Sequence, residues 1–298
     1  MIYNSGCKDL VDTSSDITAF QRENIQAQLL MELFAQSARR ELILKGGMAM
    51  RAAHDSVRFT KDIDLDANPE IDKSRIQGIV KRAIDATLSY GGLENAKVTA
   101  PKQTDTTMRW KINGTLAGGT SHINLTIEIS RRGNTAMDHV VSKPLYFVGG
   151  PAVRPVAVHS IDAEAMAVSK VFALTSPNRS APRDLWDLAM LIDMEVKPAP
   201  ELFLRHGVAA IQEALNNLWQ KVDGFTWAQF QQEVLPTLPL SVRGTVDEQL
   251  FSSMQLKVGE RVSAWLEETF SAIPTSAETA GPETTVNEAP VGAPKVRP

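Results

Sequence analysis

Between Phe20 and Phe34, the apolar residues Phe20, Ile25, Leu29, Leu30, Leu33 and Phe34 recur at helical spacing. That period predicts a helix from an N-cap at Asp16 to about Arg40. ELILK (41–45) is short and aliphatic and predicts a strand, after which Gly46 and Gly47 turn the chain into a short helix, MAMRAAH. KDIDLDA (61–67) alternates polar with aliphatic and predicts a second strand. Ile76, Ile79, Val80, Ala83, Ile84 and Leu88 form the stripe of an amphipathic helix ended by Gly91–Gly92. Strand-like runs follow near 95–100, 106–113, 121–130 and 139–148. From Ser160 the period is helical, over about 161–174, 182–194, 200–222, 226–234 and 245–270. The segment from Pro274 is rich in Pro, Ala, Thr and Glu, with little to bury, and is predicted disordered. The plan is therefore a mixed α/β half (about 1–158), a helical half (159–273) and a tail (274–298).

Composition changes this picture little. The 298 residues are 43% hydrophobic and 22% charged, ordinary for a globular chain. Cys7 is the one cysteine, so no internal disulfide forms; this fits a reducing, cytoplasmic setting. The N-terminus lacks the basic-then-apolar plan of a signal peptide, and no apolar run approaches the ~18 residues of a membrane helix. A formal charge of −4 argues against coating nucleic acid by bulk charge but leaves room for a local basic groove.

Charge placement raises the chemical question. Strand side chains alternate faces, so Asp62, Asp64 and Asp66 share one face and Ile63 and Leu65 the other. HINLTIEIS (122–130) repeats the scheme, with Glu128 on its polar face. If the two strands are neighbours, Glu128 approaches Asp62 and Asp64, and carboxylates that close do not all stay ionised without compensation. Mg²⁺ prefers such oxygen ligands and commonly shares them with substrate phosphates. A solvated edge strand would show the same alternation. Gly46–Gly47, between strand and helix, would let backbone N–H groups approach a phosphate, although two glycines also make an ordinary tight turn. Lys170 sits in an otherwise apolar or small-residue helix, where it must snorkel, pair or meet an anion. Asp184 and Asp187 fall in a first helical turn after Pro182, where the helix dipole alone favours acids; that dipole is the whole account expected for Asp187. Arg179 and Arg183 could hold phosphates or pair with these acids, and Arg109 and Lys111 lie on a polar strand face. Trp219, Trp227 and Trp265 are expected in the core.

In order, LKGGMAMR, RFTKDIDLD, LTIEIS, AVSKVFAL and RSAPRDLWDL resemble the nucleotidyl transferase AbiEii/AbiGii toxin family, over about residues 20–195. The resemblance implies a polymerase-β-like nucleotidyltransferase core with a mixed sheet, followed by a helical domain. It also implies a toxin of a toxin–antitoxin or abortive-infection system. Carried over residue by residue, Gly46, Gly47, Thr60 and Lys170 would bind the nucleoside triphosphate. Asp62, Asp64 and Glu128 would hold one or two Mg²⁺, and Asp184 would be needed for activity. A nucleotide would pass from an NTP to an acceptor hydroxyl, with RNA, in particular the 3′ end of tRNA, as acceptor, pyrophosphate as leaving group and a cognate antitoxin as partner. Either Glu128 or Asp184 would take the hydroxyl proton. The rival readings are a transferase acting on a protein or small molecule and a nucleotide-binding module without turnover.

Overall fold

The computed structural model describes residues 14–37, 41–133, 135–145 and 156–273. Cys7 and the tail from Pro274 lie outside the described residues, as do the expected end of the first helix at 38–40 and the end of the strand run at 146–148.

A seven-stranded mixed sheet carries the first part of the chain, in the order β3-β4-β5-β2-β1-β7-β6. The strands are β1 (Leu42–Lys45), β2 (Asp62–Ala67), β3 (Leu93–Gln103), β4 (Thr107–Leu116), β5 (His122–Ser130), β6 (Val140–Pro144) and β7 (Ala157–Ile161). Around it lie α1 (Ser14–Gln36), α2 (Gly46–Ala53) and α3 (Lys73–Ser89). β2 runs antiparallel to β1 and parallel to β5, and β1 runs parallel to β7. Period-two burial holds along β2: Ile63, Leu65 and Ala67 are buried, and the three aspartates are partly open. In β5, Ile123, Leu125, Ile127 and Ile129 are buried on the same rule.

The rest is helical: α4 (Ala163–Thr175), α5 (Pro182–Asp193), α6 (Pro200–Leu204), α7 (Val208–Gly224), α8 (Trp227–Glu233), α9 (Leu240–Arg243) and α10 (Glu248–Ser271). Local chemistry sets the starts. The Asp162 side chain accepts from the Ala165 amide at the head of α4, and Asp247 does the same for Leu250 at α10. Pro182 opens α5, and Thr226 with Gln229 closes a capping box on α8.

Three expectations are corrected. β7 was not expected, because AVHSI is a short run between prolines and a helix. Its strand character comes from lying between β1 and β6. The single helix expected over 200–222 is two, α6 and α7, broken at Gly207 with φ +86°. Trp219 is partly exposed rather than core, lying over Gly259 of α10, where a Cβ would meet its ring at 2.4 Å. Trp265 is buried, and Trp227 stacks on Phe230 with centroids 5.7 Å apart. No helix among the described residues is long and apolar enough to cross a membrane.

Candidate active site

The strand register sets four charges in one lateral row. Lys45 of β1 lies opposite Asp64 of β2, Asp64 opposite Glu128 of β5, and Glu128 opposite Arg109 of β4. The outer cations do not neutralise Asp64. Lys45 reaches Asp66 instead (Nζ to Oδ1 2.5 Å), and Asp66 also accepts from the Thr135 hydroxyl at 2.6 Å. Arg109 takes Glu128, its Nε 2.8 Å from Oε2 and its Nη2 on the same oxygen. Among the described residues, neither Asp62 nor Asp64 has an ion pair or a side-chain hydrogen bond. Burial, then the charge of Asp62, then that of Glu128 push the Asp64 carboxyl up to about 6, against the opposing pull of Lys45 and Lys170.

An unpaired, partly desolvated pair of carboxylates fits a hard divalent cation, which would relieve both repulsion and desolvation. Glu128 adjoins the pair through the register, with its carboxylate on Arg109, and its side chain is 34% exposed. Among the described residues no three carboxylate, histidine or cysteine groups are gathered into a ready metal cluster.

The glycine turn is built against this strand. Gly46 has φ +65°, and a Cβ there would lie 2.6 Å from Oδ2 of Asp64. A Cβ on Gly47 would lie 3.1 Å from Thr60 Oγ1 and 3.2 Å from Arg58 Nη2. Close approach, beyond the needs of a turn, therefore requires the first glycine. The two glycines open α2, so the amide end of that helix, Thr60 and Asp64 meet at one place.

Behind this surface lies a buried ionic chain. Lys170 is 6% exposed and does not snorkel: its Nζ lies 2.9 Å from Asp184 and 2.6 Å from Asp187. Both aspartates are 0% exposed. Asp184 also receives Arg179 at 2.7–2.8 Å, and Asp187 receives Arg58 through Nε at 2.9 Å and Nη2 at 2.8 Å. Burial alone would raise the Asp187 pKa, but the charges of Arg58 and Lys170 hold it down at about 2. The dipole account of Asp187 is thereby replaced: it is a structural counter-ion to two cations. Sequence reasoning missed Arg58 and Asp187 in this role. The available signal was the spacing of Asp184 and Asp187, one turn apart in a helix whose Leu185, Trp186, Leu188 and Ala189 are all buried.

A cleft of about 530 Å³ opens beside Asp62 and Thr60, walled by α1, the α8 end and the head of α5. Arg22, Lys61 and Arg183 line it, along with Arg58 and Glu233. Of the two arginines weighed at the head of α5, Arg179 pairs with Asp184 and Arg183 faces this cleft.

The family model "Nucleotidyl transferase AbiEii toxin, Type IV TA system" matches residues 28–268. No curated protein matches the chain. Among solved structures, JHP933 from Helicobacter pylori is similar at 18% identity and TM-score 0.52, over 85% of this chain and 94% of its own. A candidate nucleotidyltransferase from H. pylori is similar at 18% identity and TM-score 0.54, over 87% and 98%. MenT4, a nucleotidyltransferase toxin from Mycobacterium tuberculosis H37Rv, is similar at 15% identity and TM-score 0.48, over 86% and 90%. At these identities the H. pylori likenesses show the fold.

Proposed function

Because the chain belongs to the nucleotidyl transferase AbiEii toxin family of type IV toxin–antitoxin systems, we propose that this nucleotidyltransferase toxin moves a nucleotide from an NTP to the 3′ hydroxyl of an RNA, tRNA in the first instance, in a metal-dependent reaction in the cytoplasm. A cognate antitoxin is its expected partner. The observation that carries the reading is Asp64: partly buried, without an ion pair among the described residues, beside Asp62, with the glycine turn packed on its carboxylate.

Asp62 and Asp64 are the residues that would hold Mg²⁺, with Glu128 as a third ligand once Arg109 releases it. The ion would supply charge neutralisation for the phosphates of the reacting NTP. The amides at Gly46–Gly47 and the Thr60 hydroxyl cradle the triphosphate. The acceptor oxygen bonds to the α-phosphorus in line as the bond from that phosphorus to the oxygen bridging to the β-phosphate breaks, and pyrophosphate leaves with that oxygen. Of the two candidates for the hydroxyl proton, we assign Glu128, since it is open to solvent while Asp184 is enclosed by Lys170 and Arg179. Lys170 acts through Asp184 and Asp187, holding the first turn of α5 beside the site, and its positive charge also reaches Asp64.

The test is incubation with each α-labelled NTP, Mg²⁺ and total RNA. Label should enter RNA with the wild type and vanish with Asp62→Ala or Asp64→Ala, both still folded. Label in protein or small molecules instead would replace the acceptor. Tight NTP binding without transfer in any fraction would make the chain a binding module.

A further inference from the structure

Three cations on the wall of the cleft beside Asp62 have no counter-ion among the described residues. Arg22 on α1, Lys61 just before β2 and Arg183 in the first turn of α5 all line it, and among the described residues none of them makes an ion pair. The contrast is with the site's other arginines, each committed to a carboxylate: Arg58 to Asp187, Arg179 to Asp184, Arg109 to Glu128 and Arg51 to Glu23. Burial lowers the pKa of Arg22, as expected for a guanidinium whose surroundings offer no compensating anion. The whole chain carries −4, so this surplus of positive charge is local. The opposing acids on the cleft are Glu233 and Asp62 itself.

Such a wall calls for an anion from outside the chain, and phosphate is the chemistry in question. Two sources are at hand: the triphosphate and the phosphodiesters of an acceptor strand. Neither Gly46 nor Gly47 lines the cleft; it is bounded instead by Asp62 at the start of β2, by α1 and by Pro236–Thr237. A volume of about 530 Å³ suits a nucleotide-sized group. Thr18, Ser121 and Thr237 add hydroxyls of the kind that position nucleic-acid backbones without reading sequence. We infer that Arg22, Lys61 and Arg183 grip the phosphodiester backbone at the 3′ end of a single-stranded nucleic-acid acceptor and deliver its terminal hydroxyl to the Asp62 side of the site. The triphosphate then lies on the other side, on the glycine turn. This rests on the nucleotidyl-transfer reading for what happens next but not for the binding itself.

The binding is therefore measured without turnover. A short fluorescent single-stranded RNA is titrated, by anisotropy and without NTP or metal, into the full chain and into Arg22→Gln, Lys61→Gln, Arg183→Gln and the triple variant, across a salt series. Each removed cation should weaken binding about five- to tenfold at low salt and flatten the slope of log K against log salt by about 0.7. Arg22→Lys and Arg183→Lys should keep the slope. Melting temperatures should stay within about 2 °C of wild type, since no protein partner is lost. In steady-state transfer, the acceptor KM should rise while the NTP KM stays put. The inference falls if the RNA does not bind, if the slope is unchanged in the triple variant, or if the NTP KM rises in place of the acceptor KM. RNA binding that behaves as stated, with no transfer from any NTP, would sink the transferase reading and leave this one standing.

Discussion

Of the three aspartates on one strand face, one is held by partners among the described residues and two are not, and the proposed chemistry rests on that distinction. Asp66 is fixed by Lys45 and Thr135, while Asp62 and Asp64 are left with each other. Nothing in DIDLD separates them. The difference arises only when β1 brings Lys45 alongside and the segment at Thr135 folds over, which no local pattern contains. Gly46→Ala tests the packing on Asp64. An alanine at φ +65° costs about 1–2 kcal/mol, and its methyl meets Asp64 Oδ2 at 2.6 Å. The expected outcome is a modest drop in Tm with a loss of about a hundredfold in kcat/KM, because a displacement of the carboxylate by ~1 Å is enough for that. Near-normal turnover would mean the turn does not shape the site. Asp64→Asn tests the charge. The folded pKa, about 6, stands above the ordinary value of 3.8. The neutral acid therefore favours the fold, with that contribution fully present below about 4 and lost as pH rises through about 6. In EDTA, wild-type stability should fall by on the order of 2–3 kcal/mol across that window. Asp64→Asn should flatten this part of the profile, and an identical profile in both proteins would assign the titration elsewhere.

Among the elements, α4 and α5 depart furthest from their sequence reading. Their helical period and approximate ends were legible, because Pro182 and the run of apolar residues act locally. The role of their charges was not. The sequence left Lys170 to snorkel, pair or meet an anion and Asp187 to the helix dipole; their pairing depends on Arg58, 129 residues before Asp187, arriving from the loop ahead of β2. Four charges then share one buried volume, with Arg179 reaching Asp184 from its edge. Lys170→Met should accordingly destabilise by about 3–5 kcal/mol, since it leaves Asp184 and Asp187 short of a cation. A thermal melt checks this: a change within about 0.5 kcal/mol would return Lys170 to the class of surface lysines. An Arg58→Ala and Asp187→Ala double-mutant cycle should give a coupling of about 0.5–3 kcal/mol, and additive effects would deny the pair.

At the scale of the whole molecule, the sheet and the helices share one core, although the sequence divides at about 158. The buried apolar cluster runs without a break from Ile25 through Ile63, Leu65 and Ile127 to Leu185 and Val262. Among the polar ties that cross with it are Arg58 to Asp187, and the Phe59 amide to the Thr237 carbonyl at 2.7 Å. Both start from the loop that leads into β2, so the strand that carries Asp62 and Asp64 is aimed from the helical side. The change of period from two to 3.6 at Ser160 marks a change of local structure, and β7, reaching Ile161, shows why that differs from a break in packing. A shared core with buried cross-ties makes independent melting of the halves costly, because either half alone would expose apolar surface and an unpaired charge. Calorimetry in EDTA should therefore give one endotherm whose van't Hoff and calorimetric enthalpies agree. Two resolved transitions would mean that the cluster is a contact between separately stable bodies. Adding Mg²⁺ with NTP should raise the whole transition, by about 2.7 kcal/mol when ligand stands at 100 times its Kd. That rise should shrink in Asp62→Ala even though Asp62 lies in the sheet, and the helical signal should move with it. A shift confined to part of the transition would separate the ligand site from the helices that, on this geometry, hold it in place.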